Sequence, residues 1–219
     1  MTRDWDLRAD ELSTEALAAG DPTGWFDRLY AAGEAGEVTM PWDRDEPQVL
    51  LREWAEACAL QGHGRRAVVV GCGLGADAEY LARRGFLTTG FDVAETAIRL
   101  AKHRHPGTTV DYQVADLLTL PGEWERAFDL VAEIFTLQAL PDPPRGEATR
   151  AISRLVAPGG TLLAVAFRHT RAGSPDGYAD DGPPFALTRA QMERLAGDRL
   201  RVVSAEELDG PRWRVEYRR

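Results

Sequence analysis

The sequence predicts an α/β fold, a mostly parallel sheet with helices on both faces. Three observations carry that prediction. Between residues 66 and 168 short β-rich runs alternate with stretches of helical period, as repeated strand-helix units require. Runs such as "RAVVVG" and "TLLAVAF" are mostly apolar, the mark of strands covered on both faces. The first of them enters a turn with glycines at 71, 73 and 75 that opens a helix, in "VVVGCGLGADAEYLA". A chain of 219 residues with 44% hydrophobic content is enough for one substantial core.

Taken in order, "GWFDRLYAAGEAGEVTMPWDRDEP" predicts a helix over 22–32 followed by an irregular arm. Pro47 opens a helix in which Leu51, Trp54, Ala55 and Cys58 form one stripe. "RAVVVG" is a buried strand, and the helix after it runs from about Ala76 to Arg84, where Gly85 stops it. "LTTGFD" (87–92) is the second strand. Ala94, Ala97, Ile98 and Ala101 then give the spacing of a helix that Pro106 and Gly107 close. "TVDYQVAD" (109–116) and "AFDLVAEIF" (127–135) are the third and fourth strands, with a loop or single turn in "LLTLPGEWER" between them. Ala148, Ala151, Ile152 and Leu155 mark a helix over 143–156, "PGG" breaks it, and "TLLAVAF" (161–167) is a fifth strand. Residues 169–187 lack any period and read as a long loop beside whatever the sheet binds. A short helix over 188–196 precedes two β-like runs around "DGP", an antiparallel hairpin that closes the sheet. Residues 1–60 are expected to form helices and an arm capping the sheet domain of 61–219.

Composition narrows the function. The formal net charge of −9 would repel a phosphate backbone, so nucleic acid is not the expected partner. No apolar run approaches the roughly 20 residues a membrane span needs, and a charged N-terminus, "MTRDWDLRAD", suits a cytoplasmic protein. Cys58 and Cys72 lack the paired spacing of a metal or redox site. His103 and His105 are two apart, on different sides of a helix, and read as solvated helix-end residues; no metal is expected.

The glycine turn calls for positive φ and close backbone approach to a ligand, a need shared by dinucleotides and other adenosine cofactors. Gly71-x-Gly73-x-x-Ala76 satisfies the loose dinucleotide pattern. Acids downstream separate the cases. Asp92, ending the second strand, suits both ribose hydroxyls of either cofactor. Asp116, ending the third, suits the adenine amino hydrogens, with Leu117 against the ring. Asp77 behind the turn would repel a pyrophosphate and attract an ammonium. The combination points to a zwitterionic, phosphate-free adenosine cofactor.

The successive stretches "VVVGCGLGADAEYLARRG", "GFDVAETAIRLAK", "VADLLTLP", "FDLVAEIFTLQALP" and "LVAPGGTLLAVAF" resemble, in order and spacing, the motifs of class I S-adenosylmethionine-dependent methyltransferases. The resemblance implies a Rossmann-like sheet of order 3-2-1-4-5-7-6 with an antiparallel last strand, S-adenosyl-L-methionine as cofactor and S-adenosyl-L-homocysteine as product. "WFDRLYAAGEAGEVTMPWD", "LQALP" and "DGPPFALTRAQMERL" are similar to the thiopurine and thiol S-methyltransferase branch. That branch usually carries an Asp-Arg pair at the end of the fourth strand, where Glu133-Ile134 stands here.

On this reading Gly71, Cys72, Gly73 and Gly75 shape the cofactor turn with Asp77 behind it. Asp92 and the adjoining Val93 hold the ribose, Asp116 and Leu117 the adenine, and Glu133 lies near the methionine part and the acceptor. The resemblance further implies that Trp42 closes over the cofactor and borders the acceptor, whereas Trp25 and Trp54 simply pack the N-terminal helices. Methyl transfer is an in-line displacement, so a thiol, partly ionised near neutral pH, needs little help, while an alcohol needs a base. Glu133 and His169 are the candidate bases, and Tyr178, Asp180 and Asp181 of the long loop are candidate acceptor contacts. The expected function is methyl transfer to a small molecule, most simply a thiol. An O- or N-methyltransferase, a non-catalytic cofactor-binding protein and a nicotinamide-dependent oxidoreductase are the alternatives.

Overall fold

The computed structural model describes residues 4–169 and 183–219. Its elements are helices α1 (Asp4–Ala18), α2 (Trp25–Glu34) and α3 (Val49–Ala57), then β1 (Arg66–Val70), α4 (Ala76–Arg83), β2 (Leu87–Asp92), α5 (Glu95–Arg104) and β3 (Asp111–Val114). They continue with β4 (Phe128–Ile134), α6 (Pro144–Leu155), β5 (Val156–Phe167), α7 (Arg189–Arg194), β6 (Arg201–Leu208) and β7 (Arg212–Arg218). The strands form one sheet in the order β3-β2-β1-β4-β5-β7-β6. β1 to β5 pair in parallel, and β7 runs antiparallel to both β5 and β6, as the hairpin reading predicts.

Each strand sends alternate side chains into two apolar layers. From β1, Val68 and Val70 meet Phe91, Leu137, Ile152 and Leu162 on the face covered by α6, while Ala67 and Val69 meet Leu51, Leu81 and Ile98 on the face covered by α3, α4 and α5. Trp124 wedges between Phe91 and Phe128, with ring centroids at 5.2 and 5.9 Å. It sits in the single 3-10 turn Gly122–Trp124 that joins β3 to β4. A third cluster joins α1 and α2 to the sheet edge through Leu12, Leu29, Tyr30, Leu74 and Ala97.

Two elements differ from the sequence-based expectation. Helix α1 was not expected, because its buried stripe of Ala9, Leu12, Ser13 and Ala16 holds a single large apolar side chain amid charges. Strand β5 begins at Val156 rather than 161: Phe128 pairs with Val156 and Leu130 with Thr161, so the intervening "APGG" is a bulge within the strand. Thr188 caps α7 as expected of a Thr-x-x-Gln capping box, its side chain accepting from the Gln191 amide.

Since Trp124 is 4% exposed and fills the joint between two strands and the turn, Trp124→Ala is expected to cost ~3–5 kcal/mol of stability. Urea unfolding followed by far-UV circular dichroism measures it.

Candidate cofactor and acceptor site

The carboxyl edge of β1, β2 and β4 is where the chemistry-bearing residues meet. Gly71, Gly73 and Gly75 adopt φ of +58°, +52° and +95°, a run of left-handed backbone that only glycine holds without strain. Each is approached from a different side. A Cβ on Gly71 would come 2.5 Å from the Thr136 hydroxyl, one on Gly73 2.8 Å from the Tyr30 hydroxyl, and one on Gly75 would overlap the Tyr112 hydroxyl. The turn is therefore clasped by the end of β4, by α2 and by β3.

Asp92, at the end of β2, is 7% exposed. Its Oδ2 accepts from the Gly73 amide at 3.0 Å and its Oδ1 from the Ala94 amide at 3.0 Å. Each oxygen retains a second lone pair, so the carboxylate can still accept from two further hydroxyl donors. Burial raises its pKa to about 6, against the opposing pull of the Ala94, Gly73 and Val93 amides. Val93 is half-buried beside it. Asp116 lies two residues beyond β3, half-buried, and its Oδ1 accepts from the Leu118 amide at 2.8 Å, while Leu117 turns into the core. The acids at 92 and 116 thus stand on adjacent strand ends, as the sequence spacing requires.

Tyr30 is the site residue that sequence reading missed. It is buried, and burial first, then the Asp92 charge, hold its hydroxyl well above the usual phenol range. Its ring meets that of Trp42 edge-on at 6.4 Å, and Trp42 itself reaches 4.0 Å from the Cβ position of Gly73. Both aromatic rings therefore cover the turn. Cys72 is buried beneath it, against Gly90, with burial and then Asp92 pushing its thiol up. Trp25 and Trp54 pack as expected, the first stacked on Phe26 and the second donating to Glu216 at 2.9 Å.

Three expectations are corrected. Asp77 does not present an open acid: its Oδ1 accepts from the Gln48 amide at 2.6 Å and its Oδ2 from Arg44 at 2.8 Å, so it anchors the start of α3 and its charge is balanced. Glu133 is 0% exposed, and its Oε1 caps the turn after β4, accepting from the amides of Thr136 and Leu137 at 2.9 and 2.8 Å. It is enclosed by the sheet, and its Oε2 is buried without a hydrogen-bond partner among the described residues. Burial raises its pKa to about 7, the two amides opposing. His105 is not a solvated helix end, since its Nε2 lies 3.2 Å from the Leu74 carbonyl, inside the glycine turn. His169 stands just past β5, half-buried, its amide donating to the Leu187 carbonyl. Tyr178, Asp180 and Asp181 lie outside the described residues. A cavity of about 290 Å³ opens at the opposite edge of the sheet, between Trp54, Cys58 and Asp129, away from all these groups.

Residues 67–160 match a family model described as a methyltransferase domain. This segment is thus similar to methyltransferase domains over somewhat less than half of the chain. The match covers the glycine turn, Asp92, Asp116 and Glu133. A ubiquinone biosynthesis O-methyltransferase of Bordetella avium is 34% identical over 156 residues, covering 70% of this chain and 58% of that protein. The protein of the same name from Xanthomonas axonopodis is 34% identical over 140 residues, 60% of this chain and 57% of that one. The chain thus spans a little over half the length of these curated relatives. Among solved structures, an S-adenosylmethionine-dependent methyltransferase from Mesorhizobium loti superposes with a TM-score of 0.62 at 20% identity, covering 78% of this chain and 98% of that one. A structure described for the conversion of a disulfide bond into a thioacetal group during echinomycin biosynthesis reaches 0.70 at 24% identity, covering 89% and 93%. Both likenesses are of fold, and the fold is the class I Rossmann-like one. Among the described residues no helix is long and apolar enough to cross a membrane.

The two raised carboxyls make the stability of the fold depend on pH. The folded values of about 6 and about 7 exceed the ordinary carboxylate values of 3.8 and 4.5, so between about pH 4 and 7 the folded state binds more protons than the unfolded chain. Their contribution therefore falls as pH rises, at up to ~1.4 kcal/mol per pH unit for each group. Glu133→Gln keeps the capping oxygen and removes the charge. The stability difference between it and the wild type is expected to shift in favour of the variant from pH 5 to pH 8, read from urea midpoints across that range.

Proposed function

We propose that this protein transfers the methyl group of S-adenosylmethionine to a small-molecule acceptor bearing an acidic hydroxyl or a thiol. The observation that carries the reading is the buried Asp92 carboxylate, bonded to the Gly73 amide and flanked by the left-handed glycine turn. A carboxylate with free lone pairs beside a glycine turn at the carboxyl edge of a parallel sheet suits a ribose that lies across the turn. The start of α4, with its positive dipole end, suits the cofactor's carboxylate. Asp116 suits the adenine amino group, Val93 borders the ribose, and Trp42 with Tyr30 shields the turn from water.

The bound cofactor supplies an electrophilic methyl on sulfur. The protein's tasks are to align the acceptor with the breaking S–C bond, to exclude water and to leave S-adenosylhomocysteine as product. The bond from the acceptor oxygen or sulfur to carbon forms as the S–C bond breaks, and the acceptor's proton goes to solvent. With Glu133 enclosed and its Oε1 holding two amides, the reading favours a nucleophile that ionises on its own.

The names of the Bordetella and Xanthomonas relatives support oxygen as the methylated atom, on an acidic hydroxyl. Sulfur is the second reading, supported by the same enclosure of Glu133 and by the N-terminal resemblance to the thiol branch, since a thiol needs least assistance. A methyl-transfer assay with S-adenosylmethionine against matched phenols and thiols tests both. Product formation with acidic phenols ahead of thiols is the expected result; preference for thiols selects the second reading. No methylated product from any acceptor, with S-adenosylhomocysteine bound, would return the protein to a non-catalytic binding role.

A further inference from the structure

The end of α5 grips the glycine turn through a contact distinct from the Asp92 bond. His105 caps α5, half-buried, and its Nε2 lies 3.2 Å from the Leu74 carbonyl. A carbonyl only accepts, so the His105 Nε2 carries a proton and donates it. The other end of the same peptide is held too, since the Gly75 amide donates to the Cys72 carbonyl at 3.0 Å. The 74–75 peptide is therefore pinned at both its oxygen and its nitrogen, in a stretch where φ is left-handed at Gly73 and Gly75. Glycines that let the chain adopt this bend also let it leave, so the pinning has to come from elsewhere.

The imidazole that supplies it has little freedom of its own. A Cβ on Gly75 would lie 3.2 Å from His105 Cδ2 and would overlap the Tyr112 hydroxyl, so the two rings close on the glycine together. The Tyr112 hydroxyl donates to Glu79 Oε1 at 2.9 Å, and the Thr108 hydroxyl donates to the same oxygen at 2.5 Å. The Thr108 amide donates in turn to the His105 carbonyl at 3.2 Å. Segment 105–112 is thus tied to itself and, through Glu79, to α4. Next to His105, Arg104 pairs with Asp43 at 2.8 Å, beside the Trp42 that covers the turn.

We infer that His105 is a positioning residue for the cofactor: its Nε2–H holds the 74–75 peptide in the orientation that the bound cofactor meets. The inference rests on the methyl-transfer reading and goes beyond it by naming what keeps the turn in shape before the cofactor arrives. A turn that is already ordered binds more tightly than one that has to be ordered on binding.

The test compares two carboxamides of different reach at this position in the full chain, by isothermal titration of S-adenosylhomocysteine. A Gln side chain offers an N–H donor about as far from the backbone as the Nε2 of histidine, whereas Asn stops one methylene short. His105→Gln is expected to bind within about twofold of the wild type, and His105→Asn about fivefold or more weakly. A requirement for polarity alone, or for a polar residue at the helix end, would be met by both variants. In the wild type, the neutral His105 ring read by long-range 1H–15N NMR is expected to carry its proton on Nε2. His105→Asn binding as tightly as the wild type, equal losses in both variants, or a ring protonated on Nδ1 overturns the inference. Should neither variant fold, the ring signal alone decides it. If S-adenosylhomocysteine fails to bind the wild type, the methyl-transfer reading fails first and takes the inference with it.

Discussion

The hydrogen bond from the Gly73 amide to Asp92 Oδ2 is the constraint on which the site depends. It joins the turn after β1 to the end of β2, and it fixes the buried carboxylate in one orientation through the second bond to the Ala94 amide. Gly73 donates this bond only because the chain bends through left-handed φ on both sides of Cys72. The absence of side chains there lets Thr136, Tyr30 and Tyr112 close in from β4, α2 and β3. One bend in β1 thus positions the fourth strand, the N-terminal cap and the edge strand relative to each other.

Burying acids around that bend is costly, and the structure distributes the cost unevenly. Asp77 is balanced by Arg44 and a backbone amide. Asp92 and Glu133 have only amide donors, and both are held above the usual carboxylate range by burial. Asp92 is placed where hydroxyl donors of a ligand would complete its shell. Glu133 Oε1 caps the turn that carries Phe135 and Thr136, while its Oε2 is buried without a hydrogen-bond partner among the described residues. The same residue type in neighbouring strands thereby performs two different tasks, decided by what each strand end faces.

Much of this was legible in the sequence because it is local. Short β-rich runs marked β1, β2, β4 and β5, the "DGP" turn marked the hairpin, and the spacing of Asp92 and Asp116 followed from their strand ends. What escaped depends on contacts between distant residues. Arg44 meets Asp77 across 33 positions, and Tyr30 reaches Gly73 from a helix whose pattern indicates burial but not what it lies against. The burial of Glu133 was hidden for the same reason: a carboxylate at a strand end looks alike whether it faces a ligand or caps its own turn. Helix α1 was illegible because alanine and serine fill most of its buried stripe.

The central claim is that the Asp92 carboxylate beside the glycine turn holds the ribose of a methyl-donor cofactor. Isothermal titration of S-adenosylhomocysteine into the wild type and into Asp92→Ala measures it most directly, with NAD titrated into the wild type alongside. The account predicts one molecule of S-adenosylhomocysteine bound per chain, no heat from NAD, and an affinity at least ~10-fold weaker in the variant, the loss of a charge-assisted hydrogen bond or more. Unchanged affinity in Asp92→Ala, or binding of NAD in preference to S-adenosylhomocysteine, would contradict it.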